Sequence, residues 1–265
     1  MHSKSHGQKN MRMRFAGTGY GVCKVKKKLS PDFRRRPTVL IDETLILDPT
    51  EDWVDFMGYY SLESEWNTVS DVLLTHSHPS HFSPQTVLDI AARHPVDVYA
   101  SPAVLALLPE DPGIRPHPMT PFSALETASG YRVIALPAPH MTDNPDEVCL
   151  NFLIQRDKTV FYGVDGGLPR QEVYALLKEL PPDAVVIDCA LGVAAPSGAW
   201  FSHNAFDSAL LLREIMAADG LLGERAKFIL THIPTDKKES IHEQLCALAA
   251  PHGMTVAYDG YFAII

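Results

Sequence analysis

The sequence predicts a mixed α+β fold in which two sheets pack together and carry helices on their outer faces. Three observations point there. Short apolar runs bounded by turn residues fill the first half of the chain, and strand-like and helix-like segments alternate through the second half. Apolar runs such as Ala184–Asp188 and Phe228–Thr231 are the right length for buried strands and far below the roughly 18–20 residues of a membrane-spanning helix. Elements of these two kinds bury their apolar faces only by stacking in layers. The 265 residues are 46% hydrophobic and 21% charged, a globular composition that excludes a disordered chain, a collagen or a coiled coil. One domain over residues 1–265 is expected, with polar residues 1–10 as a flexible start.

The elements follow in order. Arg12–Gly17, Thr38–Ile41 and Glu43–Leu47 read as strands separated by turns, and Val72–Thr75 as a short apolar strand that ends in histidines. Pro84–His94 reads as a helix because proline stands at its start and Val87, Ile90 and Ala91 share one face. Asp97–Ala100 is a strand and Pro102–Leu108 a short helix. Tyr131–Leu136, Cys149–Gln155 and Thr159–Val164 are strands, and Gln171–Leu180 is a helix stopped by Pro181 and Pro182. Ala184–Asp188 and Lys227–Thr231 are strands around an amphipathic helix, Asn204–Ala218, and Lys238–Ala250 is the last helix. Thr255–Tyr258 and Tyr261–Ile264 flank Asp259-Gly260, the signature of a hairpin turn.

Charge and cysteine content set the setting. Residues 1–36 hold 11 of the 23 Lys and Arg but one of the 32 acidic residues, so a basic start precedes an acidic body. Its clusters are Lys24, Lys26, Lys27 and Lys28, then Arg34, Arg35 and Arg36. This segment, 24–36, is either a solvated loop or an attractor for an anionic substrate; the acidic body argues against nonspecific duplex binding, so a nucleic-acid partner is not expected. Met1–Asn10 lacks the apolar core of a secretory signal, and Cys23, Cys149, Cys189 and Cys246 form no CxxC pair. A reducing cytoplasm is expected, with no membrane partner and with a homo-oligomer left open. Cys149 and Cys189 read as small packing residues.

The chemistry gathers where strands end. Thr75-His76-Ser77-His78-Pro79-Ser80-His81 places three histidines directly after an apolar strand, and neutral imidazole is the commonest transition-metal ligand near neutral pH. His140 follows the strand Tyr131–Leu136, Asp165 follows Thr159–Val164 and precedes Gly166-Gly167, and His232 follows Phe228–Thr231. His203 stands just before a helix. In layered α/β proteins such positions converge on one rim. His94, His117, His242 and His252 lack this placement and read as surface residues.

In this order and strand context the sequence resembles the metallo-β-lactamase-fold hydrolases, whose signature is a strand ending in T-H-x-H-x-D-H followed by a His, an Asp and a last His after later strands. The resemblance covers roughly residues 12–265. It implies a four-layer αββα sandwich with metals at one edge. By resemblance, His76, His78 and His140 hold one metal, His81 and His232 hold the second, and Asp165 bridges. Phe15-Ala16-Gly17-Thr18-Gly19, Arg34–Ile41, Val185–Cys189 and His203-Asn204 are similar to the phosphoribosyl cyclic phosphodiesterase branch, in which the His-Asn histidine is a catalytic acid or substrate contact. That branch often carries several cysteines near its start for a structural zinc. Only Cys23 remains here, so no structural zinc is expected.

The second departure is Ser80, which replaces the signature aspartate. A neutral hydroxyl is a much weaker ligand than a carboxylate, so the second position should bind less tightly. The expected cofactors are two divalent ions, zinc or manganese, with iron possible. Asp188 would orient a ligand from behind, with Ser80 in the same outer layer and Asp71 as a further candidate for that task. Trp200 and Phe201 could line a pocket beside His203.

The resemblance implies hydrolysis of a small cyclic or nucleotide-like phosphodiester, with His203 and Asp165 as catalytic residues and a small anionic molecule as substrate. A carboxylic ester, thioester or lactone is an alternative on the same site, and a metal-binding protein that has lost catalysis is another.

Overall fold

The computed structural model describes residues 10–21, 31, 34–62, 67–193, 201–235 and 241–265. The first half runs through β1 (Arg12–Gly17), β2 (Gly19–Tyr20), β3 (Thr38–Ile41), β4 (Leu45–Leu47), α1 (Glu51–Tyr60), β5 (Asp71–Leu73), α2 (Pro84–Ala91), β6 (Val96–Ala100), α3 (Pro102–Leu105) and β7 (Ile114–Pro118). The second half adds β8 (Ala124–Glu126), β9 (Arg132–Pro137), β10 (Leu150–Gln155), β11 (Thr159–Gly163), α4 (Gln171–Glu179) and β12 (Ala184–Asp188). It ends with α5 (Phe206–Ala218), β13 (Lys227–Thr231), β14 (Ile233–Pro234), α6 (Ile241–Ala249), β15 (Met254–Val256) and β16 (Phe262–Ile264).

Two seven-stranded sheets form the middle layers. Their strand orders are β16-β1-β3-β4-β5-β6-β7 and β15-β13-β12-β11-β10-β9-β8. Each sheet is antiparallel on one side and parallel on the other: β4 to β7 run parallel in the first, as do β11, β12, β13 and β15 in the second. Alternation along the strands sends Met13, Phe15, Val39, Phe152, Ile154 and Tyr162 into the seam between the sheets. The opposite faces are covered by helices. Trp53, Phe56 and Met57 of α1 and Val87 and Ile90 of α2 pack on the first sheet, while Val173 and Leu177 of α4, Leu212 and Met216 of α5 and Leu245 of α6 pack on the second. Fully burying side chains of this size stabilises by roughly 1.5–3 kcal/mol each. The result is the expected four-layer αββα sandwich. Among the described residues no helix is long and apolar enough to cross a membrane.

The sequence pattern and the structure differ in several places, and β2, β7, β8 and β14 have no expected counterpart. Helix α1 fills a stretch without an expected element, although Trp53, Phe56, Met57 and Tyr60 fall at helical spacing. The expected hairpin at Asp259-Gly260 does not form. β15 pairs with β13 in one sheet and β16 with β1 in the other, so this turn crosses between the layers. Asp259 is buried at the crossing and accepts from the Thr18 hydroxyl (2.8 Å) and the Arg35 amide (2.7 Å), while the Gly260 amide donates to the Phe15 carbonyl. The last helix is described from Ile241, and Lys238 lies outside the described residues, as do Cys23, Lys24, Lys26, Lys27, Lys28, Trp66 and Trp200.

The arginines of the basic segment are consumed internally, which corrects both readings of residues 34–36. Arg34 is fully buried and donates to the Thr18 hydroxyl and the Ala257 carbonyl. Arg35 pairs with Asp55 and Asp259, and Arg36 pairs with Asp52 and Glu51 while donating to the Pro79 carbonyl. Gly17 makes this packing possible. A Cβ there would stand 1.8 Å from the Arg36 carbonyl oxygen, which is backbone and cannot move aside. Gly17→Ala should therefore destabilise the fold by about 3 kcal/mol, the upper end of overpacking costs; a denaturant midpoint measures this, and an unchanged midpoint would contradict it.

Candidate metal centre

Strand direction decides where the polar residues meet. β4 and β5 run parallel in the first sheet and β9, β11, β12 and β13 share one direction in the second, and contacts between the residues after their C-terminal ends place these on one edge of the sandwich. Asp48 follows β4, His76, His78 and His81 follow β5, His140 follows β9, Asp165 follows β11, Asp188 ends β12 and His232 follows β13. His203 reaches the same place from the segment before α5. Three of these residues have left-handed backbones without being glycine: Asp48 (φ 50°), Asp165 (φ 54°) and His232 (φ 54°). Such conformations cost of order 1–3 kcal/mol each and persist only where the surroundings enforce them, often at functional sites. The turn after Asp165 needs Gly166, whose Cβ would lie 2.6 Å from Asn151 Oδ1.

The donors converge on Asp165. His76 Nε2 lies 2.9 Å and His140 Nε2 3.2 Å from His78 Nδ1. Asp165 Oδ2 is 2.9 Å from His81 Nε2, 3.5 Å from His76 Nε2 and 4.0 Å from His140 Nε2. Asp165 Oδ1 is 3.0 Å from His232 Nε2 and 3.2 Å from His203 Nδ1. Three donor sets could hold a cation: His76, His78 and His140; His76, His81 and Asp165; and Asp165, Asp188 and His203.

A further layer of residues fixes these side chains. Asp48 is fully buried, accepts from the Thr75 amide and hydroxyl (2.8 Å each), and lies 2.9 Å from His81 Nδ1. It thereby turns His81 Nε2 toward Asp165. Asp188 accepts from the Asn204 amide (2.8 Å) and side chain (3.2 Å) and lies 3.5 Å from His203 Nδ1. Glu147 accepts from the Ser77 amide and hydroxyl and from Thr142, locking the histidine loop to the loop after His140. Glu147→Ala should lower cation affinity about tenfold, the lower end for loss of an outer-layer partner, as read by chelator competition; unchanged affinity would remove it from this role. The ring of Tyr20 stands edge-on to His203 and His232, with centroids 5.3 and 5.1 Å away.

Burial sets the charges. It drives His76 well below its ordinary value and His140 down to about 4, and lowers His78, so these three are neutral donors near pH 7. Burial also works against the charged form of His81 and His203, but Asp165 with Asp48 outweighs it at His81, and Asp165 with Asp188 at His203; both are held at about 10. Burial would likewise raise Asp165, and the charges on His232 and His81 reverse this and keep it well below the carboxylate range. The centre is thus a buried anion surrounded by imidazoles.

The donor set fits divalent cations. His81 Nε2, His232 Nε2, His203 Nδ1 and Asp165 Oδ1 are buried yet have no hydrogen-bond partner, although they stand beside one another. Unpaired polar atoms in such a place are costly unless an ion satisfies them. Ligands of a tetrahedral ion at about 2.0–2.1 Å stand about 3.3–3.4 Å apart, and the separations of 2.9–4.0 Å quoted above straddle that spacing.

Every metal-ligating or catalytic candidate from the sequence reaches this edge, and several other candidates fall elsewhere. Asp71 lies at the start of β5 and accepts from Tyr99, from the Ala128 and Ser129 amides and from the Ser129 hydroxyl, so it clamps a distant loop. Phe201 is 80% exposed. Ser80 is half-buried and makes no hydrogen bond with the described residues. His117 sits against Tyr99 and Asp97, and His242 against Arg34. Asp48, Glu147 and Tyr20 escaped sequence reasoning. For Asp48 the signal was its position at the end of an apolar strand, as for Asp165.

A four-layer sandwich with a histidine-rich centre on one edge defines the metallo-β-lactamase fold. The chain belongs to the family described as the Beta-lactamase superfamily domain, which matches residues 43–233. Solved structures share the fold. The metallo-beta-lactamase fold protein YhfI from Bacillus subtilis is 16% identical with a TM-score of 0.71, covering 97% of this chain and 100% of that one. Zn(2+)-bound PqqB from Methylobacterium extorquens is 15% identical with a TM-score of 0.65, covering 95% and 99%. Yeast PDE1 is 9% identical with a TM-score of 0.66, covering 97% and 99%. No curated protein matches the chain.

Proposed function

We propose that the chain is a metal-dependent hydrolase that cleaves a small cyclic or nucleotide-like phosphodiester at this edge, using two divalent cations, zinc or manganese, with iron as an alternative. The observation that carries the reading is that His76, His81, His140 and His232 each bring a ring nitrogen within 4.0 Å of the single carboxylate of Asp165, with His78 beside His76 and His140. In this reading His76, His78 and His140 would hold one cation, His81 and His232 would hold the other, and Asp165 would serve both. When bound, such cations lower the pKa of water from about 15.7 toward about 7 and offset growing negative charge on a substrate oxygen.

The chain's own residues do the rest. Asp48 fixes the ring of His81, and Asp188 with Asn204 holds the backbone before α5 so that His203 faces the centre. His203 holds a phosphoryl oxygen or gives a proton to the leaving alkoxide. Tyr20 packs beside His203 and His232. Arg34, Arg35 and Arg36 are paired internally, so their charges are not what draws an anionic substrate. The phosphodiester preference is supported by the resemblance of Phe15–Gly19 and His203-Asn204 to the cyclic phosphodiesterase branch.

A substrate panel tests this reading: bis-p-nitrophenyl phosphate, a cyclic ribose phosphate, a lactone and nitrocefin. Turnover of the two phosphodiesters is expected. Activity on the carbonyl substrates alone would overturn the phosphodiester reading in favour of an ester or lactone hydrolase, and no activity with fewer than one equivalent of metal would favour a non-catalytic protein.

A further inference from the structure

The expected aspartate at position 80 is a serine, so the second cation lacks one donor from the histidine loop. The structure offers a replacement from the opposite side of the centre. His203 Nδ1 stands 3.2 Å from Asp165 Oδ1, the oxygen that also lies 3.0 Å from His232 Nε2, and 3.5 Å from Asp188 Oδ2. All three donor atoms of Asp165, Asp188 and His203 lie within 4.8 Å of one another. Two of these atoms, Asp165 Oδ1 and His203 Nδ1, are buried without a hydrogen-bond partner, as is the neighbouring His232 Nε2. A ring that served only as a proton donor to substrate would be expected to form a well-aligned hydrogen bond to one carboxylate at this nitrogen. Here Nδ1 is set beside two carboxylates and aligned with neither, which is the arrangement of ligands around a shared ion.

We propose that His203 completes the second cation position through Nδ1, in place of residue 80, with Asp188 close enough to share it. The inference rests on the two-cation reading above and adds to it. Coordination through Nδ1 leaves the proton on Nε2, so the same ring can still donate a hydrogen bond to the substrate. It also gives the His203-Asn204 pair its sense: Asn204 is anchored to Asp188 through both backbone and side chain, which fixes the ring beside the carboxylates.

The test counts cations rather than turnover. The purified chain is loaded with Co(II), and each equivalent is followed by visible absorption and by competition with a chelator. His203→Ala should leave the first equivalent unchanged, weaken the second by about 10–100-fold, the range for loss of a supporting metal contact taken as a minimum, and shift the absorption of that second ion. His203→Ala combined with Ser80→Asp should restore the second equivalent, because the carboxylate returns from the loop side. His117→Ala, a histidine away from the centre, should change nothing, and a thermal melt checks that each variant is folded. Two equivalents bound with unchanged affinity in His203→Ala, or no recovery in the double variant, would overturn the inference while leaving the two-cation reading intact. A wild-type chain that takes up fewer than two equivalents would instead contradict that reading itself.

Discussion

Asp165→Asn is expected to remove both cations together and to lower hydrolysis by more than 100-fold. The reason is geometric. One oxygen of Asp165 faces His76, His81 and His140, and the other faces His232 and His203, so a single carboxylate ties the two halves of the centre. Loss of outer-layer partners alone costs about 10–100-fold in metal affinity, and a shared donor should cost more. Asparagine keeps the size of the side chain and tolerates the left-handed backbone at this position, so the loss isolates the charge rather than the turn. Elemental analysis and kcat/KM after reconstitution are the readouts. Retention of two equivalents by Asp165→Asn would show that the carboxylate is not the shared donor.

Asp48→Ala is expected to have the second largest effect, in stability as well as in binding. Its carboxylate is fully buried and serves the Thr75 amide, the Thr75 hydroxyl and His81 Nδ1. Removing one member of a buried charged pair costs about 3–5 kcal/mol, and freeing His81 to rotate should weaken the second cation about 10–100-fold. Asp48→Asn should recover part of the stability, because an amide oxygen can still accept from Thr75, but less of the binding. Denaturant titration and chelator competition separate the two effects. A variant with lower stability and full cation affinity would assign Asp48 to the fold alone.

Much of this was legible in the sequence for local reasons. A histidine run after an apolar strand needs no tertiary information, and neither does an Asp or His placed directly after a later strand. The parallel strands then bring those ends to one edge. What was hidden depends on contacts far apart in the chain. Arg35 finds Asp259 more than 200 residues away, so its charge looked free when it was not. Asp259-Gly260 has the composition of a hairpin, but the buried carboxylate is held by Thr18 and Arg35, and the flanking strands join different sheets. Tyr20 lies on a two-residue strand paired with β14, too short to show any periodicity. α1 was readable, since Trp53, Phe56, Met57 and Tyr60 are spaced as one helical face.

The most direct measurement is the anomalous scattering of crystals grown from protein reconstituted with zinc or manganese. Two peaks are predicted on either side of Asp165, one among His76, His78 and His140 and one beside His81, His232 and His203. A single peak elsewhere, or none at this edge, would contradict the account.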